Sequence, residues 1–522
     1  MRPALVHLVV LFLGAAPSFA VEAESYEPPE YVKQLPELPV GVDPATALRM
    51  TAKEAIQTAV TNNLGIVLTM EQLEVARQGI PLSLGAFEPS VAASYQHSNA
   101  ESPPTTVQEG MAGQIFNVIQ DGWNVGLRQR LHSGTQLEVD LRNNRSRNTL
   151  VNALSPQLFR SSLELSVTQP LLRGFSLDLT VPQAEVLRAE FASESAWHEM
   201  QAVVVATVKS ADDAYWDLVE ALKTYQVARG SLRLAEEQLH LSQRQVIAGV
   251  LAHSDLITAE TTLAQRQLAI VGSEKTIDDA ADRLRQILNL PRDRWTAPIL
   301  PVDAPRFEEI RVAEDDALTL ALANRSEVQE RRLDLERARL DRRVARNDEL
   351  PQIDAGLSYG VVGQENTFSG ALDALFDGRA PSWIALLNLT WTPLNRGARA
   401  KLAVAEAGER MARTKIEQLA ARVRLEVRSA IRDLDSAARA VKAAAKFRAL
   451  AEESLDAEQR KFINGTSSNF FVAQRQEELA RARLSELTAV ISHQKAINNL
   501  MAVRGDLLEK RGIDVRVLGQ QP

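Results

Sequence analysis

The sequence predicts a mainly α chain that also carries membrane-type β-strands, built as a duplicated helix–strands–long helix–turn–helix unit. Three observations predict this. The first is internal repetition. Ala55 to Tyr95 aligns with Ala317 to Leu357 without a gap, which puts Leu73-Glu74-x-Ala76-Arg77 on Leu335-Glu336-x-Ala338-Arg339 and Pro89 on Pro351. Ala235-Glu236-Glu237-x-Leu239 falls on Ala451-Glu452-Glu453-x-Leu455, with Gly249 on Gly465. Pro170-Leu171-x-Arg173-Gly174 falls on Pro393-Leu394-x-Arg396-Gly397. Chance similarity between Ala/Glu/Arg/Leu-rich helices can explain one such block. It does not explain three in one order with shared Pro and Gly, and a repeat of this kind decides architecture. The second observation is a change from helical to alternating periodicity after each copy of the first block. The third is the length of the helical stretches between the alternating patches.

The elements follow in order. Arg2, the apolar run Leu5 to Leu13 and Ser18-Phe19-Ala20 read as a signal peptide over 1–20. Residues 21–50 are Pro-rich and acidic, an extended arm. Thr51 then caps a helix with Glu54 at the capping-box position, and this helix is expected to run to about Ala86. Strands are expected at 90–99, 123–131, 136–144 and 162–168, with a hairpin turn at His132-Ser133-Gly134-Thr135. In the second half, 352–361 and 383–390 alternate in the same way. Loops 100–121, 147–160 and 364–381 connect strands on the outer side. From Pro182 to Ala248 there is no further proline and only Gly230, about 66 residues or roughly 100 Å of helix. Ala398 to Asn464 matches it. Shorter helices are expected at 254–290 and 468–503. The first repeat is therefore 51–290 and the second 314–505, joined by a Pro-rich linker at 291–313. The tail, 506–522, is expected to be loose from Arg511 onward.

Composition narrows the function. There is no cysteine, so thiol catalysis, cysteine-held metals and a lipid-carrying cysteine are all excluded. The net charge of −8 and the lack of a basic stripe argue against nucleic acid. Seven histidines are scattered without ligand spacing. No nucleophile elbow or phosphate loop stands in a strand–turn–helix context. We therefore expect no catalytic residues, no cofactor and no metal. His253, beside the first turn, is a candidate for tuning a pH response.

Physics connects strands to helices. Four to six amphipathic strands cannot close a membrane barrel alone, because lipid-exposed edges leave backbone groups unpaired. Several copies must pool strands in one shared barrel. Helices of this length likewise need neighbours, and side by side they form a hollow cylinder.

At this point the chain resembles the TolC family of outer membrane efflux channels, over about residues 50–505. The resemblance rests on the duplication, the element order and two helical tips. The tips are Ala248-Gly249-Val250-Leu251-x-x-Ser254-Asp255-Leu256 and Asn464-Gly465-Thr466-Ser467-Ser468. It implies a homotrimer with a shared trimeric β-barrel on a long α-helical barrel, embedded in outer membrane lipid and reaching into the periplasm. It also implies that a periplasmic adaptor docks on the tips and that an inner membrane pump or type I secretion transporter feeds the channel. Adaptor contacts would fall on Gly249, Val250, Leu251, Ser254, Asp255, Gly465, Thr466, Ser467 and Ser468. Pro170, Arg173, Gly174, Pro393, Arg396 and Gly397 would mark the bends from barrel to tunnel.

Two departures stand out. The family usually has two strands per half, whereas the first half here has room for four. If the extra hairpin enters the membrane, a trimer has 18 strands, and otherwise it has 12 with the hairpin outside the bilayer. The larger barrel is favoured. Phe471 and Gln474 occupy positions where some members carry aspartates, which puts a cation-sensitive ring at the second tip in doubt. The alternative reading is a soluble periplasmic coiled-coil scaffold or adaptor.

Overall fold

The computed structural model describes residues 26, 28–40, 45–103, 115–148, 155, 157–249, 252–464 and 466–518. The expected signal peptide lies outside the described residues, as do Val250, Leu251 and Gly465 of the tips.

A strap bearing the short helix α1 (Glu30–Lys33) leads to β1 (Leu48–Met50). Then come α2 (Ala52–Asn62), α3 (Leu64–Leu84) and four strands, β2 (Ser90–Ser102), β3 (Phe116–Arg130), β4 (Gln136–Asn148) and β5 (Gln157–Pro170). The first tip joins α4 (Ala184–Ile247) to α5 (His253–Leu288). The second half runs β6 (Ile299–Pro301), α6 (Glu314–Asn324), α7 (Ser326–Asp348), β7 (Gln352–Glu365), α8 (Phe368–Phe376) and β8 (Pro381–Thr390). It ends with α9 (Arg396–Ile463), α10 (Asn469–Arg504), α11 (Leu507–Arg511) and α12 (Val515–Leu518).

Four expectations need correction. The helix expected over 51–86, and its counterpart over 314–349 in the second repeat, are each broken. Asn63 (φ −66°, ψ 124°) and Arg325 (φ −66°, ψ 127°) leave helical geometry at equivalent positions of the repeat. The amide of Asn63 donates to Ile287 O at 2.9 Å, a tertiary bond that fixes the first break. The connection 364–381, read as a loop, contains α8. The arm and the linker pair with each other, since β1 and β6 form a two-stranded parallel sheet. Arg511 is not loose: its guanidinium reaches Asp212 Oδ2 and Asn498 Oδ1, each at 2.6 Å.

The chain divides into two compact units. One gathers 1–63, 205–321 and 423–514. Its core is helix on helix, with Leu218, Leu222, Leu487 and Ile491 fully buried. Each such side chain contributes about 1.5–3 kcal/mol. The thirty-six residues of α5 and of α10 hold their ends with left-handed C-caps at Asn289 and Gly505.

Buried polar anchors tie the strap and linker to this core. Lys223 donates to Tyr31 O at 2.9 Å and also to Gln34 O, and burial lowers its pKa to about 8. Tyr26 and Tyr31 both donate to the buried Glu486, which also pairs with Arg448 at 2.8 Å. Burial pushes both phenols up, and the hydrogen bonds to Glu486 add to it. Tyr215 donates to Met50 O at 3.1 Å and to Asp303 Oδ2 at 3.0 Å, and the same oxygen accepts from Ala52 N. Proline-rich chain without regular hydrogen bonds is thereby pinned at a few strong points.

The other unit gathers 64–204, 322–422 and 515–522, and its main feature is a six-stranded antiparallel sheet. The strand order is β2-β3-β4-β5-β7-β8. Because Pro89 matches Pro351 and Pro170 matches Pro393, β2 corresponds to β7 and β5 to β8. The inserted pair is β3–β4.

Candidate functional site

Strand alternation gives this sheet two unlike faces. On one face, paired positions make continuous apolar rows. Val91, Leu127, Val139, Leu165, Tyr359 and Trp383 form one row across all six strands. Ala93, Val125, Leu141, Leu163, Val361 and Pro381 form the next. Many of these side chains are exposed; Val91 and Trp383 are each 72% accessible. A soluble protein does not leave such rows open, and a lipid-facing barrel wall requires them. The β3–β4 hairpin carries the same rows as its neighbours, so its pattern is that of a membrane hairpin.

The opposite face is polar, apart from residues such as Ile384 and Leu386 on the edge strand β8. Arg128 pairs with Glu138 at 2.7 Å, and Arg142 bridges Asp140 at 2.9 Å and Glu164 at 3.2 Å. Gly126 makes this ladder possible, since a Cβ there would stand 2.5 Å from Asp140 Oδ1. Such a face suits a water-filled lumen. No helix among the described residues is long and apolar enough to cross a membrane.

The expected bend residues sit where strands end. After β5, Leu171 N still donates to Ile353 O at 2.8 Å, and Gly174 turns with φ +80°. Asn347 holds this turn. Its side chain accepts from Gly174 N at 2.7 Å and donates to Leu172 O and Phe175 O, each at 3.0 Å. Gly134, in the β3–β4 turn (φ +85°), lies so close that a Cβ would be 3.2 Å from Gly174 O and 3.3 Å from Pro170 Cγ. The second bend differs. Asn395 takes φ +31°, and its amide donates to Glu349 O at 3.2 Å. Arg396 begins α9, so Gly397 lies within its first turn. Arg173, Pro393 and Arg396 are exposed.

At the first tip, Ala248 N and Gly249 N continue hydrogen bonding to Arg244 O and Val246 O, each at 3.0 Å, and Gly249 turns with φ +71°. Ala252 is the N-cap of α5, so His253, Ser254 and Asp255 occupy its first turn. Asp255 there complements the helix dipole. At the second tip, Thr466 N and Oγ1 return to Lys461 O at 2.9 and 3.1 Å. The Ser467 hydroxyl donates to Glu458, and this bond holds the carboxyl below its usual range. Ser468 is the N-cap of α10. Asn469 is buried and joins the two tips' helices, bonding Ser242 Oγ at 3.1 Å and Gln238 Nε2 at 2.5 Å.

Sequence reasoning named Val250 and Leu251 but missed further apolar residues at the tips. Ile247 is 87% exposed and Ile463 80%, while Phe470 and Phe471 remain half exposed in an edge-to-face pair at 5.6 Å. It also missed Asn347, because the equivalent position of the first repeat is Gly85 and the repeat gave no signal there.

Comparison with known proteins agrees with this geometry. A membrane protein from Pseudomonas aeruginosa superposes with a TM-score of 0.64 at 18% identity, covering 93% of this chain and 97% of its own. The CmeC outer membrane channel of Campylobacter jejuni does so at 0.62 and 12%, covering 95% and 100%. The open-state MtrE outer membrane channel of Neisseria gonorrhoeae gives 0.62 and 16%, covering 92% and 98%. No curated protein gives a significant match. The sequence pattern of the outer membrane efflux proteins matches residues 129–290 and 317–506, one segment in each repeat. With both halves matched and the same fold throughout, the chain belongs to the outer membrane efflux protein family, the TolC-type channels of the outer membrane.

Proposed function

We propose that three copies of this chain pool their sheets into one barrel and form the exit duct of an efflux or type I secretion system. The observation that carries the reading is the six-stranded sheet with one apolar and one polar face. Among the described residues, its outer strands, β2 and β8, each have one edge without a partner in the sheet. In lipid such edges must be paired, and a neighbouring copy supplies the pairing. Three copies of six strands make 18. The barrel is then half again as wide as one of 12 strands, since diameter grows about linearly with strand number.

The tips serve a periplasmic adaptor in this reading, and an inner membrane pump or transporter supplies the energy. The polar turn residues Ser254, Asp255, Thr466, Ser467 and Ser468 frame the exposed Ile247, Ile463, Phe470 and Phe471. An apolar centre within a polar rim is the usual anatomy of a docking surface. Gly249 provides the turn geometry, and Val250, Leu251 and Gly465 belong to the same segments. We assign the arm to 21–50, the repeats to 51–290 and 314–505, the linker to 291–313 and the tail to 506–522. A soluble scaffold has no use for the outward apolar rows.

The test is the mass and shape of the detergent-extracted particle, by light scattering and electron microscopy. A trimer whose barrel shows 18 strands supports the proposal. A trimer with 12 strands removes the hairpin from the barrel, and a water-soluble monomer or dimer overturns the shared duct.

A further inference from the structure

α8 lies on the wrong face of the sheet for a pore-lining loop. Gly363 of β7 shares its row with Ser161, Asn143, Trp123 and Tyr95. A Cβ on Gly363 would stand 2.0 Å from Ala371 O, so the α8 backbone rests directly on this row. The row belongs to the same face as Leu163 and Leu141, two residues further along each strand. The Phe368 ring packs 4.7 Å from Trp123 and 6.2 Å from Phe159, while Ala371 and Leu375 are buried. α8 therefore crosses back over β5 toward β3, away from the β8 edge where a neighbouring copy would pair.

The covered row breaks the apolar pattern. Asn143 and Ser161 are 4% and 1% exposed and satisfy each other at 2.6 Å. Below them, the apolar rows run from Ile353 to Val361 on β7. Eight residue steps at 3.3 Å, tilted about 40°, span roughly 20 Å of bilayer, short of the usual band of about 25 Å by one row. α8 covers that missing row. Phe376 remains 79% exposed, and Asp373 and Asp377 are exposed as well. A short helix with apolar and charged sides belongs at an interface rather than among acyl chains.

We propose that α8 is an outer-leaflet collar, a helix lying on the outside of the barrel wall at the boundary between acyl chains and headgroups, with lipid as the partner of Phe376. The proposal rests on membrane placement of the sheet. It continues the apolar rows upward and shields Asn143 and Ser161 from acyl chains. In the second repeat it takes the place that the β3–β4 hairpin fills in the first.

The chain has no cysteine, so single labels are clean. Phe376→Cys and Leu165→Cys would each carry a bimane, with the full-length protein reconstituted in phosphatidylcholine vesicles. Quenching would be read with lipids bearing a doxyl group at carbon 5 or carbon 16 and with aqueous iodide. The collar predicts that the label at 376 is quenched about twofold better by the 5-doxyl than by the 16-doxyl lipid, while the label at 165 is quenched by lipid and shielded from iodide. Adding Gly363→Leu, which forces α8 off the sheet, should abolish lipid quenching at 376 and spare it at 165. Iodide quenching at 376 without lipid quenching, beside a lipid-quenched 165, overturns the collar alone. Loss of lipid quenching at both positions overturns the membrane placement itself.

Discussion

Asn347 of α7 holds the turn at Gly174 from both sides, accepting from its backbone N–H at 2.7 Å while donating to the carbonyls of Leu172 and Phe175. One buried amide thus satisfies three backbone groups where the sheet gives way to helix. Asn347→Ala leaves all three without this partner and should cost about 2–3 kcal/mol. Asn347→Asp should be no better, since a carboxylate would face two carbonyls. The apparent Tm of the extracted particle reads both.

Gly134 and Gly174 both have positive φ, but only Gly134 is crowded. Gly174→Ala should cost about 1 kcal/mol, the conformational term alone. Gly134→Ala should cost more, because Gly174 O and Pro170 Cγ must also move. Comparing the amounts of each variant inserted in the outer membrane tests the order.

Asp212 gives a pH signature. Burial pushes its carboxyl up to about 6, against the opposing pull of Arg511. The folded state holds this proton more tightly than the unfolded state does. Its contribution is complete below about pH 4 and is lost as pH rises through 6, roughly 3 kcal/mol in all. Asp212→Asn removes the titration. The Tm of the parent relative to this variant should fall between pH 4 and 7, and a constant difference would refute the assignment.

Arg142 bridges Asp140 and Glu164 on the polar face. Arg142→Ala leaves two carboxylates without this cation in each copy. In planar bilayers under a KCl gradient, the reversal potential should shift toward cation selectivity. No shift would place this ladder outside the conduction path.

At the tips, Phe470→Asp and Ile463→Asp should weaken adaptor capture about tenfold or more, as loss of apolar anchors does. Membrane insertion should be unchanged. Equal capture by variant and parent would move docking away from these residues.

Much of this architecture was legible because the responsible signals are long or repeated. The proline-free runs before Ile247 and Ile463, and the alternation around Gly134, depend on many residues each. The Thr51–Glu54 capping box is local chemistry and forms as read, with Glu54 N donating to Thr51 Oγ1 at 3.1 Å. What escaped depends on single tertiary contacts. Nothing in the helical pattern around Asn63 announces a break, because its fixing partner, Ile287 O, is 224 residues away. α8 has nine residues, too few for a convincing period, and its conformation depends on the surface left open by Gly363. The linkage of Tyr26 and Tyr31 to Glu486 likewise joins residues more than 450 positions apart. Ile247, Ile463 and Phe470, beside the tips, were hidden among ordinary helix positions.

The insertion of β3–β4 also has a consequence in parity. Each crossing of the bilayer reverses the chain, so an odd number of added strands would deliver α4 to the cell exterior. In the proposed 18-strand barrel the hairpin adds two crossings and restores the direction. The turn at Gly134 then returns to the side where α4 begins, which is why its Cα meets the Pro170–Gly174 bend. Strands of such a wall can differ between repeats only in pairs, and the first repeat carries one pair more than the second.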